Sequence, residues 1–171
     1  WSLAVEEQYY LLFPIFLFLA WKFGKKSVFW MIVVIAIASF LLSEWGSRNY
    51  AVANFYLIPT RAWELLAGSL TAFIIQKHGL KSSNFLTFLG FGLIVFSIFA
   101  FNKETPFPSF YAMIPVLGTV LLILCADQNT FIAKVLRARV LVGIGLISYS
   151  AYLFHQPIFA FTRIYLLNEP T

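Results

Sequence analysis

The chain has 171 residues, of which 61% are hydrophobic and only 11% charged, and its mean hydropathy of +0.84 departs from the roughly half-apolar, quarter-charged balance of a water-soluble domain. Twelve Lys plus Arg against seven Asp plus Glu leave a charge of +5, but the cations fall in short clusters between apolar runs and form no face that could track phosphates, which argues against nucleic acid as a partner. The single cysteine, Cys125, excludes an internal disulfide and a Cys-based metal site.

A membrane-crossing helix needs about 20 mostly apolar residues. Runs that reach or approach this length cover 2–23, 28–43, 55–76, 85–101, 110–126 and 140–167. They predict an all-α, polytopic transmembrane helical bundle of about six spans, the shorter ones needing tilt or local bilayer thinning. The last run has room for a short interfacial segment, up to about Gly145, ahead of its spanning helix. Pro14 and Pro115 are expected to kink their helices, whereas Pro59 suits a first turn, where its missing N–H costs little. Pro106 and Pro108 mark the fourth loop.

Charges between the runs alternate. Lys22, Lys25 and Lys26 follow the first run, Lys77 and Lys81 the third, and Lys134, Arg137 and Arg139 the fifth. The intervening loops hold Glu44 with Arg48, and Lys103 with Glu104, each pair summing to zero. Because cytoplasmic loops are enriched in Lys and Arg, the three basic loops are expected in the cytoplasm, with Trp1 and the C-terminus outside. Trp21, Trp30 and Trp45 fall near the expected interfaces, as an aromatic belt would. The chain opens on Trp within a polar-bearing motif and ends on Asn168-Glu169-Pro170-Thr171, so 1–171 reads as an excised part of a domain, with 168–171 beginning a linker.

Ionisable residues inside apolar runs carry most of the functional information, since a charge near the bilayer centre costs at least about 2.5 to 3.5 kcal/mol on insertion scales. In the first run, helical spacing brings Ser2, Glu6, Tyr9 and Tyr10 near one another, with Glu7 pointing in a neighbouring direction. A carboxylate beside phenols can orient or deprotonate a hydroxyl nucleophile; equally, acids near a helix N-terminus complement its dipole and contact headgroup water. In the third run, Arg61 and Glu64 are spaced to pair along one face, with Gly68 one turn further in, open to close approach by a helix or substrate. That pair either neutralises itself in lipid or lets Arg61 hold an anionic group or a developing oxyanion.

In the last run, Ser148, Tyr152 and His155 share a face, with Tyr149 adjacent. Such a stripe serves proton relay or acyl handling, or hydrogen bonds that hold a bundle together. His78, between Lys77 and Gly79, reads as a solvated loop histidine, and Arg163 as a side chain reaching for the outer interface. The sequence shows no metal-ligand cluster, phosphate-cradling glycine loop or G-x-S-x-G elbow.

Three blocks, WSLAVEEQYYLLFP at 1–14, PTRAWELLAGSL at 59–70 and ISYSAYLFHQPI at 147–158, together resemble the bacterial membrane acyltransferase family 3, whose members acylate lipopolysaccharide, peptidoglycan and exopolysaccharides. The resemblance covers nearly all of the chain. It implies the second half of a ten- to eleven-span domain in the bacterial cytoplasmic membrane that takes an acyl group, acetyl above all, from cytoplasmic acyl-CoA and delivers it to a hydroxyl of an envelope polysaccharide. No metal is implied. By position, the family's motif acid matches Glu6 or Glu7, its motif Arg and Glu match Arg61 and Glu64, and its late Ser-Tyr and His match Ser148, Tyr149 and His155. The family's first-helix His and its Arg-bearing motif have no counterpart in this chain, so a missing N-terminal half is expected to supply them, and the isolated chain is expected to be inactive. The late Phe-His-Gln-Pro block resembles members that continue into an extracytoplasmic SGNH esterase-like domain. Glu6 and Glu7 are thus the expected catalytic residues, while Arg61, Glu64, Ser148, Tyr149, Tyr152 and His155 are expected to contact substrate. A polytopic transporter or flippase without covalent chemistry would use the same buried ion pair and helix-breaking prolines.

Overall fold

A computed structural model describes residues 2–49, 54, 57–102 and 109–167. Every regular element among the described residues is helical: α1 (Ser2–Ala20), α2 (Lys25–Asn49), α3 (Ile58–His78), α4 (Asn84–Ala100), α5 (Met113–Cys125), α6 (Phe131–Leu136) and α7 (Arg139–Leu167), with 3-10 turns at Trp21–Phe23 and Phe110–Ala112. The chain divides into two compact units at the Thr130–Phe131 junction.

In the first unit, α1 tightens into its 3-10 turn and stops at Gly24, whose φ of 84° lies in the left-handed region that an L side chain rarely adopts. The chain then reverses into α2. Phe29 meets Phe73 with ring centroids 6.3 Å apart, and the Trp63 amide donates to Ser39 Oγ at 3.1 Å; residues advancing on α2 thus meet residues receding on α3, and the two helices run antiparallel. Tyr9 of α1 reaches Ser69 of α3, while the end of α1 at Ala20 packs in the same cluster as Val28, Ile32, Ala62 and Leu66.

Against that cluster, α4 and α5 form a second pair built on glycine. A Cβ added at Gly90 would lie 2.8 Å from Gly118 O, and one at Gly118 would lie 2.7 Å from Gly90 O, so no side chain fits between these backbones. Ser83 caps α4 through its side chain, which accepts the Leu86 N–H.

Polarity in this unit runs opposite to that of a water-soluble protein. Buried positions include Ser39, Ser43, Thr71, Thr87 and Ser97, while Phe18, Phe85 and Phe99 are 77%, 75% and 83% exposed. Small and hydroxyl-bearing residues inside, with large apolar ones outside, are what bundles use when the surrounding solvent is as apolar as the core. Among the described residues one helix, Lys25–Asn49, is long and apolar enough to cross a membrane by length and composition, and Asn84–Ala100 and Phe110–Cys125 are shorter apolar helices.

Helix limits follow the apolar runs closely, with three departures. Helix α2 runs past its apolar run to Asn49, so Glu44 and Arg48, expected in a loop, lie on it and pair at 2.7 Å, since residues four apart meet on a helix face. Pro115 sits in the first turn of α5 and not in a helix interior, so its missing N–H costs no ladder bond and the expected kink has no cause there. In the second unit α7 runs unbroken from Arg139 across Gly143 and Gly145; the short helix comes earlier, as α6. Pro59 takes the first turn of α3 as the sequence predicts. The fourth loop, with Lys103, Glu104, Pro106 and Pro108, lies outside the described residues, as do Trp1 and the 168–171 linker segment.

Candidate functional site

Helices α1 and α3 carry the first candidates. On α3, Thr60 Oγ1 donates to Asn54 O at 2.7 Å and to Leu57 O at 2.9 Å, tying down the chain just before Arg61. One turn later Arg61 Nη2 donates to Glu64 Oε2 at 3.1 Å, and the two side chains are only 19% and 22% exposed. A guanidinium and a carboxylate so sheltered depend on each other, because losing either partner would strand a charge in a weakly screened place.

On α1, Tyr9 is half-buried and shares a 2.7 Å hydrogen bond with Ser69 Oγ, its ring stacked on Phe13 at 4.8 Å. That clasp fixes the rotation and level of α1 against α3. Glu6, one turn before Tyr9, is half-buried, while Glu7 and Tyr10 are exposed. Glu6 precedes the clasp by three residues on α1, and Arg61 and Glu64 precede it by eight and five residues on α3. The sequence-predicted carboxylates and ion pair therefore stand on two clasped helices, with Glu6 better sheltered than Glu7. The side chain of Ser2 lies outside the described residues.

Trp63 of α3 is a residue that spacing arguments pass over. Its ring packs edge-on against Phe40 at 5.1 Å, it is 6% exposed, and its Nε1–H is buried with no acceptor among the described residues. A buried indole donor without an acceptor is costly, so this N–H is available to an incoming oxygen. Ser39 and Ser69 were likewise invisible as partners, since each is recognised only by the helix it touches.

Of the two partners expected for Gly68, a helix is not found among the described residues. Nothing lies within 4 Å of where its Cβ would be; close helix approach occurs at Gly90 and Gly118 instead.

In the second unit the polar stripe of α7 is largely self-satisfied. Ser148 Oγ donates to Gly145 O at 2.7 Å. His155 Nδ1 hydrogen-bonds the Tyr152 carbonyl, the Tyr152 and His155 rings are 5.3 Å apart, and Phe159 meets the imidazole edge-on. A carbonyl only accepts, so Nδ1 carries the proton, and in the neutral ring Nε2 is left as a base. Tyr149 sits one position on from Ser148, in a neighbouring direction.

None of these candidates lines a groove of about 640 Å³ that opens at the C-terminal end of α3, between the start of α2 and His78. His78 is exposed, as a solvated histidine would be, but it closes α3 instead of lying in a loop, and it borders this groove. Among the described residues no group of three or more His, Cys, Asp or Glu could hold a metal ion.

Comparison with known proteins gives this geometry a family. The model of an acyltransferase domain, acyltransferase 3, matches residues 1–170. The chain belongs to that family. Peptidoglycan O-acetyltransferase OatA of Listeria monocytogenes is 30% identical over 95% of this chain and 28% of its own length. A putative O-acetyltransferase of Staphylococcus aureus strain COL is 28% identical over 98% of the chain and 30% of its own, and O-acetyltransferase OatA of S. aureus strain NCTC 8325 shows the same identity and coverage. The acyltransferase 3 chain described here therefore spans under a third of the length of these curated relatives. No solved structure matches it.

Proposed function

We propose that this acyltransferase 3 chain is the second half of a membrane O-acyltransferase that moves an acetyl group from cytoplasmic acetyl-CoA to a hydroxyl of a cell-envelope glycan. The observation that carries the reading is the sheltered Arg61–Glu64 pair on a helix clasped to the one that bears Glu6, in a unit whose large apolar side chains face outward. The bundle spans the bacterial cytoplasmic membrane about six times, with Trp1 and the C-terminus outside and the three basic loops in the cytoplasm. A missing N-terminal half completes the domain, and an SGNH-type domain follows it.

The chemistry follows from the groups available. Glu6 or Glu7 takes the proton from the acceptor hydroxyl as its oxygen attacks the thioester carbonyl. Arg61, steadied by Glu64, faces the negative charge that grows on the carbonyl oxygen. The C–S bond then breaks and the thiolate leaves with coenzyme A. Ser148, Tyr149, Tyr152 and His155 of α7 supply hydroxyls and an imidazole base to the substrate path.

The test uses the full-length parent in membranes with acetyl-CoA labelled in the acetyl group. Glu6→Gln, Glu7→Gln and Arg61→Leu are expected to divide into one silent carboxylate and two losses of at least about a hundredfold, the usual cost of removing a positioned charge-stabilising group. Full activity in all three properly inserted variants would sink the site assignment. Label that never reaches glycan, with substrate nonetheless crossing the membrane, would replace the enzyme with a transporter.

A further inference from the structure

The large groove between α2 and α3 has a chemistry of its own. Its head is cationic, formed by Lys25 and Lys26 in the first turn of α2 and Lys77 in the last turn of α3, with His78 beside them. Its walls are aromatic: Phe29, Trp30 and Phe73, the first and last in edge-on contact at 6.3 Å. Among the described residues no carboxylate lines it, and the ion pairs they form lie elsewhere, at Glu44–Arg48 and Arg61–Glu64. A second groove of about 630 Å³ flanks the same start of α2, shares Lys26 and Trp30, and continues along Val34 and Ile35.

Lys25 and Lys26 also stand at the wrong end of their helix. The N-terminus of a helix is its positive end and favours acids, yet the first turn of α2 has none. Lys25 Nζ lies 5.9 Å from the centre of the exposed Trp21 ring, which offers a cation only modest relief. Three lysines lining one groove, two of them in the first turn of a helix, form a cationic head suited to an anion from outside the chain.

We propose that this groove seats an anionic phospholipid, its phosphate among Lys25, Lys26 and Lys77 and one fatty chain against Phe29, Trp30 and Phe73, with the other following the flanking groove along α2. An amphipathic phosphate is the ligand chemistry both halves select. The lipid is favoured over coenzyme A because both grooves are mainly apolar, lie on either side of the same helix start, and contain none of the residues assigned to the acyl-transfer site. Basic pockets between helices at the cytoplasmic face are suited to anionic headgroups. The proposal rests on the membrane reading above but not on acyl transfer.

The experiment is native mass spectrometry of the chain released from neutral detergent, titrated separately with phosphatidylglycerol, phosphatidylcholine and coenzyme A. Phosphatidylglycerol is expected to be retained at least tenfold more tightly than phosphatidylcholine. The triple variant Lys25→Gln, Lys26→Gln, Lys77→Gln should lose on the order of a hundredfold, at about fivefold per lysine. A variant of equal charge, Lys81→Gln, Lys134→Gln, Arg137→Gln, should keep the lipid. If the triple variant loses helicity, Lys77→Gln alone is expected to show its fivefold share. Equal retention of phosphatidylcholine, equal loss in both triple variants, or coenzyme A bound with the same lysine dependence would each overturn the proposal. The readout involves no acetyl transfer, so a failed acyltransferase reading leaves it unchanged.

Discussion

Two helix pairs in the first unit solve the same joining problem by different means. Helices α2 and α3 meet through side chains: Ser39 Oγ takes the Trp63 amide and Phe40 meets the Trp63 ring, while Asn54, ahead of α3, donates its Nδ2 to Ser43 O of α2 at 3.0 Å. Helices α4 and α5 meet backbone to backbone at Gly90 and Gly118, with Thr87 Oγ1 donating to Cys125 O at 3.2 Å. The difference separates chemistry from scaffold. The side-chain interface lies beside Arg61 and Glu64, whereas α4 and α5 hold no charged residue at all.

The largest effect that would break this contrast is Gly118→Val. Its Cβ meets Gly90 O at 2.7 Å and Ile94 Cγ1 at 2.9 Å, and a carbonyl in a helix cannot move aside as a side-chain tip can. A loss of about 3 kcal/mol, at the upper end of ordinary overpacking, is expected in reversible unfolding from bicelles. Gly68→Ala, with nothing within 4 Å of the new methyl, should gain slightly from helix propensity, up to about 1 kcal/mol. Equal losses at the two glycines would mean that the α4–α5 approach is not what holds that pair.

Next in size is the ion pair. Arg61→Leu strands Glu64, and since both side chains keep about a fifth of their surface exposed, the cost should be about 2 kcal/mol, below the 3 to 5 of a fully buried pair. The double variant Arg61→Leu, Glu64→Leu is expected to recover most of that stability while remaining inactive in the full-length parent. Recovered stability with recovered acyl transfer would reduce the pair to a structural device.

The contrast also explains how much was legible in the sequence. Apolar run length located nearly every helix, because length and composition are what lipid selects, and the Arg61–Glu64 pair was legible because its geometry is local to one helix. Partnerships between helices were not. Nothing in the spacing of Ser39 or Ser69 says which helix faces it, and Gly68 looks as suited to close packing as Gly90 until a neighbour is in place. Pro115 misled for a related reason: whether a proline kinks a helix depends on where the helix begins, and the 3-10 turn at Phe110–Ala112 delays that start. The cationic groove was hidden as two ordinary lysine clusters far apart in the chain, joined only when α2 folds back along α3.

The smallest effect tests the clasp that holds the helix of Glu6 against the helix of the ion pair. Tyr9→Phe and Ser69→Ala each remove one partner of the 2.7 Å hydrogen bond while leaving the Tyr9–Phe13 stack and the helix backbone intact. In a bundle surrounded by lipid such a bond is worth about 0.6 kcal/mol, because the separated helices also find partners. A double-mutant cycle should therefore return a coupling near that value. Stability is the lesser consequence, since α1 has only a modest footprint on α3 and the hydroxyl pair fixes its rotation. A helix free to turn by one residue swings by about 100°, enough to exchange the directions of Glu6 and Glu7. Acyl transfer by the Tyr9→Phe parent should accordingly fall by much more than 0.6 kcal/mol implies, and a drop no larger than the coupling energy would show that the carboxylate needs no such registration.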